Sequence, residues 1–64
     1  MTNLKRIREK TGLSQSGLAE KSGVSIRMIQ HYEQGAKDIN KAAVLTVVKL
    51  ADALGVGVRD LIEK

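Results

Sequence analysis

The sequence predicts an all-α fold, a compact bundle of five helices. Glycines recur where helices are expected to end, at Gly12, Gly23, Gly35 and Gly55, and glycine closes a helix in the left-handed conformation without steric cost. Apolar residues follow helical spacing, and no segment shows the sustained alternation of a strand. A chain of 64 residues without cysteine is expected to form one domain, 1–64, stabilised by helix packing and caps.

Most of the predicted helices follow a residue that can cap them. Serine and asparagine side chains accept hydrogen bonds from the free amides of the first helical turn. Thr2 or Asn3 can serve the first helix, whereas the last follows Gly57, which has no side chain. The predicted helices are 3–11, 15–22 after Ser14, 26–34 after Ser25, 41–54 after Asn40, and 58–63.

The candidate core comes from one face of each longer helix. In the first helix, Leu4 and Ile7 share a face. In the fourth helix, Ala43, Val47, Leu50, Ala51 and Leu54 follow helical spacing, and Val56, Leu61 and Ile62 are expected to close the core from the last segment.

Residues 12–35 predict two short helices joined by a tight turn. Leu18 points inward, and Ala19 is small enough to let the next helix approach closely. Gly23 makes the turn and Val24 fills the angle between the two helices. The joint spacing of these positions is a stronger signal than any one of them. The scaffold positions of the second of these helices are Ile29 and Tyr32, which anchor it to the core.

The net charge of +4 is unevenly distributed along the chain. Residues 1–37 carry seven basic and three acidic side chains, whereas residues 38–64 carry four of each. A basic half suits a polyanion such as DNA, because the nucleic-acid backbone attracts cations without regard to sequence. No apolar run reaches the ~20 residues that span a bilayer, and the amino terminus leads into charge. A cytoplasmic protein without a membrane partner is therefore expected.

The chain resembles the Cro/C1-type helix-turn-helix family, also called the XRE family. The resemblance covers residues 4–63 and is carried by Gln15, Leu18-Ala19, Gly23-Val24-Ser25, Ile29, Glu33, Gly35 and the segment Leu50 to Val56. It implies a lambda-repressor-like domain whose helices 2 and 3 form the helix-turn-helix, with helix 3 in the DNA major groove. It also implies a small prokaryotic or phage transcriptional regulator, repressor-like, and a homodimer on a two-fold symmetric operator of double-stranded DNA.

The resemblance also implies roles for individual side chains. The candidate base-reading residues are Ile26, Arg27, Gln30 and His31, on the exposed face of helix 3. Gln30 is expected either to read adenine or to hold a phosphate. For Arg27 and His31 the alternative to a base contact is a solvated side chain with no contact to DNA. The candidate phosphate-binding residues, which set register without reading sequence, are Ser14, Gln15, Ser16, Ser25, Gln34 and Lys37.

Two further pairs of residues have structural interpretations. Arg8 and Glu33 match positions that form a partly buried ion pair in the family, joining helix 1 to helix 3. Leu45 and Val48 on the fourth helix are either an ordinary exposed apolar pair or part of a dimer interface. Gly17, inside the second helix, departs from helical preference.

Other functions are weaker predictions. A protein-interaction module that kept this fold and lost DNA binding is the alternative, but no acidic residue lies between Glu20 and Glu33 to support it. An enzyme is not expected, because the sequence lacks a nucleophile–base pairing, a metal-ligand cluster and a phosphate-binding glycine loop. No cofactor, metal or small-molecule ligand is predicted. A single aromatic residue offers no stacking platform for RNA.

Overall fold

The computed structural model of the chain describes residues 1–63, which form four α-helices and two short 3-10 turns. No strand occurs within these residues. The helices are α1 (Asn3–Lys10), α2 (Gln15–Ser22), α3 (Ile26–Gln34) and α4 (Val44–Leu54), and the 3-10 turns are Ile39–Lys41 and Val58–Leu61. None of the described helices is both long and apolar enough to cross a membrane.

Three side-chain caps begin the first three helices as the sequence predicts. The hydroxyl of Thr2 accepts from the backbone N–H of Lys5, that of Ser14 from Gly17, and that of Ser25 from Met28. Each such cap contributes about 1 kcal/mol, since it satisfies an amide that the helix leaves free.

The turn between α2 and α3 depends on one glycine. Gly23 has φ of 76°, in the left-handed region that side chains disfavour, and its N–H closes α2 on the carbonyl of Ala19. Val24 is buried directly after it. The two helices are thus joined through the tight turn that the sequence predicts.

Helix α4 begins later than predicted. The prediction placed its start at residue 41 with Asn40 as the cap, but Asn40 lies inside the first 3-10 turn. The Asp38 carboxylate accepts from the N–H of Asn40 and starts that turn, after which Ala42 is extended and Ala43 is not yet helical. The cap position falls to Ala43, which makes no side-chain hydrogen bond.

The predicted fifth helix, 58–63, is wrong. Only Val58–Leu61 turns, in 3-10 geometry, and Ile62 is extended with φ of −72° and ψ of 135°. Gly57 provides no side-chain cap, and tertiary hydrogen bonds hold the backbone of Ile62 in this extended conformation. The Asn3 carboxamide donates to the carbonyl of Ile62 at 2.9 Å. The described chain therefore has four helices instead of a five-helix bundle.

Every helix contributes to a single core. The five fully buried large side chains, Leu4, Leu18, Ile29, Leu50 and Leu61, come from the four helices and the second 3-10 turn. Three predicted core residues are not fully buried. Ala43 is exposed because it precedes α4, Ile62 is half-buried because its backbone is extended, and Val56 is half-buried against the core. Ile39, which no sequence pattern predicts to be buried, also lies in the core, where the first 3-10 turn places it.

A buried ion pair joins α1 to α3. Arg8 Nε donates to Glu33 Oε2 at 2.6 Å, and Nη2 donates to Oε1 at 3.1 Å. The two side chains are 9% and 2% exposed. Hydrogen bonding to Glu33 raises the pKa of the Arg8 guanidinium above its ordinary value, against the opposing effect of burial, so Arg8 stays charged at any physiological pH.

The backbone of Ile62 and Glu63 is held by hydrogen bonds to two asparagine side chains. The Asn40 carboxamide pairs with the Glu63 backbone as a peptide group would: Nδ2 donates to the Glu63 carbonyl, and Oδ1 accepts from its N–H. The backbone N–H of Asn3 donates to the Glu63 carboxylate. The amino end of α1, the first 3-10 turn and residue 63 therefore lie together.

Removing the acidic partner of the ion pair is expected to destabilise the fold strongly. Glu33→Ala leaves a charged guanidinium in a dry site and should lower the free energy of unfolding by about 3–5 kcal/mol, measured by urea denaturation. Glu33→Gln, which keeps an acceptor for Arg8, should lose less. The control is Glu9→Ala, since the Glu9 carboxylate lies 4.0 Å from Arg8 Nη2 and is 49% exposed. Equal losses in Glu33→Ala and Glu9→Ala would contradict the importance of the buried pair.

The pairing of Asn40 with Glu63 predicts a smaller effect. Asn40→Asp keeps the acceptor for the Glu63 N–H but replaces the donor to its carbonyl with a second acceptor. A loss of about 1 kcal/mol in unfolding free energy is expected, with Lys41→Ala, a neighbouring exposed position, as the control. If Asn40→Asp unfolds at the same urea concentration as that control, the pairing does not hold the carboxyl-terminal residues.

Candidate nucleic-acid interface

Helix α3 has one buried side and one exposed side. Ile29, Tyr32 and Glu33 are its buried residues. With 3.6 residues per turn, the intervening positions form the opposite face. Ile26 and Arg27 are exposed there, and Gln30 and His31 are half-buried. The structure thus places all four predicted base-reading residues on one face, which we call the α3 face (Ile26, Arg27, Gln30, His31).

The α3 face bears no unpaired carboxylate. Glu33 is the only acidic residue of α3, and it is buried against Arg8. The charge on the exposed side of the helix is therefore that of Arg27. A polyanion approaching this face meets no repulsion from α3 itself.

The amino end of α2 lies beside the α3 face. Ser14 and Ser16 are exposed, and Gln15, the first residue of α2, is half-buried. The contact between Gln15 and Gln30 joins this end of α2 to α3. Helix amino ends carry partial positive charge and free N–H groups that favour anions. The Ser14 oxygen accepts from the Gly17 N–H at 2.9 Å, which leaves its own O–H as a donor.

The remaining predicted phosphate-binding residues lie at the two ends of α3 and are also exposed. Ser25 caps the helix, and Gln34 ends it. Gly35 follows in the left-handed conformation, and the N–H of Lys37 then donates to the carbonyl of His31 at 3.2 Å. This bond folds the chain back on the helix, so that the backbone of Lys37 lies at the carboxyl end of α3.

A chain of polar side chains connects the ion pair to the α3 face, and the sequence analysis did not foresee it. Gln15 Nε2 donates to Glu33 Oε1 at 3.0 Å, and Gln30 Nε2 donates to Gln15 Oε1 at 3.4 Å. We call Arg8, Glu33, Gln15 and Gln30 the polar chain. Its members come from α1, α2 and α3. The Arg8–Glu33 pair was expected, but no spacing in the sequence indicates that Gln15 and Gln30 join it.

The space around Gly17 is occupied by the cap of α2. A Cβ at this position would lie 3.2 Å from Ser14 Oγ and 3.5 Å from Leu13 Cδ2. A side chain there would crowd the hydroxyl that caps the helix. The matching caps over Lys5 and Met28 form with side chains present, so the cap of α2 does not by itself require the glycine, which carries a cost in helical preference.

The predicted dimer-interface residues lie on α4. Leu45 is 63% exposed, and Val48 is half-buried. Val44, which the sequence analysis did not single out, is 76% exposed and is one helical turn from Val48. We call Val44, Leu45 and Val48 the α4 patch. The opposite side of α4 forms part of the core through Val47, Leu50, Ala51 and Leu54.

Residues 1–63 contain no group of three or more His, Cys, Asp or Glu side chains placed to hold a metal ion. The backbone carbonyl of Leu13 accepts a hydrogen bond from Arg8 Nη1 at 2.7 Å.

Comparison with known proteins identifies the family of the chain. A family model described as helix-turn-helix matches residues 4–61. Searches of the curated proteins and of the solved structures found no match. The matched span includes the second 3-10 turn and all four helices except the first residue of α1. The chain belongs to the Cro/C1-type (XRE) helix-turn-helix family of DNA-binding transcription regulators.

Proposed function

We propose that this protein binds double-stranded DNA sequence-specifically, with α3 in the major groove, and acts as a repressor-like regulator in the cytoplasm. The observation that carries the proposal is the division of α3. Its scaffold residues are buried, its only carboxylate is neutralised by Arg8, and the α3 face is left with polar, basic and apolar groups for base edges.

The phosphate contacts are proposed to come from both sides of the α3 face. Ser14, Gln15 and Ser16 stand at the amino end of α2, and Ser25, Gln34 and Lys37 stand at the two ends of α3. Contacts on both sides fix how far along the groove the helix sits, and so decide which base each side chain meets. The amide groups at the start of α2 add an anion-binding site to these side chains.

The α3 face offers a different chemistry at each proposed base contact. Arg27 is suited to a bidentate contact with guanine O6 and N7, and Ile26 is suited to packing on a thymine methyl group. His31 can donate to guanine or to a phosphate. Ile26 is 40% exposed, a large apolar side chain whose exposure DNA contact would remove.

We further propose a homodimer that uses the α4 patch. Val44 and Leu45 are the most exposed large apolar residues of the described chain after Met1, and their burial against a second copy is favourable. The domain measures 24 × 21 × 21 Å. Two such domains fit side by side on one face of DNA, where successive major grooves recur about every 34 Å.

The proposed base and phosphate roles predict different effects of two substitutions. After a binding site is selected from a random duplex pool, Arg27→Ala should reduce the preference for one base pair in each half-site by about 1–3 kcal/mol. Lys37→Ala should weaken binding to all duplexes similarly and reduce the slope of log K against log salt by about 0.9. Both are measured by fluorescence anisotropy at several salt concentrations.

Three results would count against this assignment. Equal loss on every duplex for Arg27→Ala would make that residue a phosphate contact. A change in base preference for Lys37→Ala would make Lys37 a base contact instead of a phosphate contact. If the wild-type protein binds no duplex near physiological salt, the DNA-binding proposal fails and the protein-interaction module replaces it.

The dimer proposal predicts the effect of a charge in the α4 patch. Leu45→Lys should shift sedimentation equilibrium toward the monomer and weaken binding to a two-half-site duplex while affinity for a single half-site is retained. The matched control is Lys49→Ala, an exposed change on the same helix. Unchanged self-association and unchanged two-site binding in Leu45→Lys would exclude the patch as the interface.

A further inference from the structure

The polar chain has a direction, which follows from the chemistry of its first members. A carboxylate without a proton only accepts hydrogen bonds, and a guanidinium only donates them. Glu33 accepts from Arg8 with both oxygens. Any further group that contacts the carboxylate must therefore present a donor, and Gln15 meets this condition with Nε2 at 3.0 Å from Oε1.

This direction passes on to Gln30. Because Gln15 presents its nitrogen to Glu33, its own oxygen is left as an acceptor on the other side of the amide. Gln30 meets that oxygen with Nε2 at 3.4 Å. Rotating the Gln30 amide by half a turn would place two amide oxygens against each other. The Oε1 atom of Gln30 is consequently the atom that the polar chain directs away from Gln15.

The start of the polar chain is held rigidly. The Glu33 side chain is 2% exposed and bonded to Arg8, and Arg8 is held in turn by the Leu13 carbonyl at 2.7 Å from Nη1. Gln15 follows directly after the capped start of α2. Glu33 is thus fixed by packing and ion pairing, whereas Gln15 and Gln30 are half-buried and depend on it for their orientation.

We propose that Gln15 is a positioning residue for base recognition, and that the polar chain orients Gln30 to select adenine over guanine. The inference rests on the proposed DNA-binding function. Adenine presents an amino donor at N6 and an acceptor at N7, which match Oε1 and the remaining N–H of Gln30. Guanine presents two acceptors, O6 and N7. Its O6 would face the Gln30 oxygen unless the amide turned over and lost its contact with Gln15.

The same contact explains why removal of Gln15 should relax specificity instead of only weakening binding. Without Gln15 the Gln30 amide is free to present either its oxygen or its nitrogen to the groove. Adenine then loses an amide that was already oriented to bind it, and guanine gains a hydrogen-bond donor from Gln30. A residue that only held a phosphate would affect both bases alike.

The test combines three variants with duplexes that differ by single adenine-to-guanine changes. The wild-type protein should prefer adenine at one position of each half-site, and Gln30→Ala should abolish that preference. Gln15→Met, similar in size but unable to hydrogen bond, should reduce the adenine-to-guanine affinity ratio there by about tenfold. It should leave the ratios at other positions unchanged. Glu20→Ala, an exposed change on α2, is the control and should leave every ratio unchanged.

A second measurement examines the orientation without DNA. In the free protein the side-chain amide signals of Gln30 should differ from those of Gln34, an exposed glutamine on the same helix. In Gln15→Met the Gln30 signals should move to values near those of Gln34. A melting temperature close to that of the wild type is expected for Gln15→Met, because the Arg8–Glu33 pair is retained.

The outcomes separate this inference from the proposed function. If the wild-type protein binds DNA sequence-specifically but Gln15→Met keeps the full adenine preference, the positioning role is wrong while the function stands. The same holds if Gln30→Ala changes no position. If the wild-type protein binds no duplex, both the function and the recognition role fail. Gln30 signals that do not respond to Gln15→Met overturn the orienting contact itself.

Discussion

The ion pair between Arg8 and Glu33 is the contact on which the rest of the molecule depends. It joins the first helix to the third in a dry site and so fixes the helix that carries the proposed reading face. A buried pair of this kind is costly to break, although its net contribution over an apolar pair is small. Its particular value here is electrostatic. It places the only carboxylate of α3 where the exposed face is not affected by its charge.

A small helical domain without cysteine has few means of stabilisation, and each is visible in this structure. The core is made from single large aliphatic residues contributed by each helix and by the second 3-10 turn. Three hydroxyl caps satisfy helix amides. Asn3 and Asn40 hold the carboxyl-terminal residues against the start of α1. These contacts keep a thin core closed at the point where the predicted last helix does not form.

The helix-turn-helix separates scaffold from surface within a few residues of sequence. Residues three and four positions apart share one side of a helix, so the burial of Ile29, Tyr32 and Glu33 leaves the opposite side of α3 exposed. The polar chain adds a link between the two. Through Gln15, the buried carboxylate of Glu33 acts on the orientation of Gln30 at the surface. Stability and the proposed recognition of DNA therefore share one set of hydrogen bonds.

The sequence by itself determined the features that depend on local chemistry. The extents of α1, α2 and α3, their caps and the Gly23 turn follow from residues a few positions apart, as does the burial of Leu18 and Ile29. The placement of the four candidate base readers on one face follows from the same periodicity.

The tertiary structure alone decided those features in which contacts between distant segments override local preference. The last segment turns once and then extends because Asn3 and Asn40 bind its backbone, and α4 starts late because Asp38 starts a separate turn. The polar chain joins residues from three helices through hydrogen bonds between side chains 15 to 25 positions apart. Such contacts exist only after packing has brought the helices together. The family resemblance implied the Arg8–Glu33 pair, but no local pattern in the sequence predicts that Gln15 and Gln30 extend it.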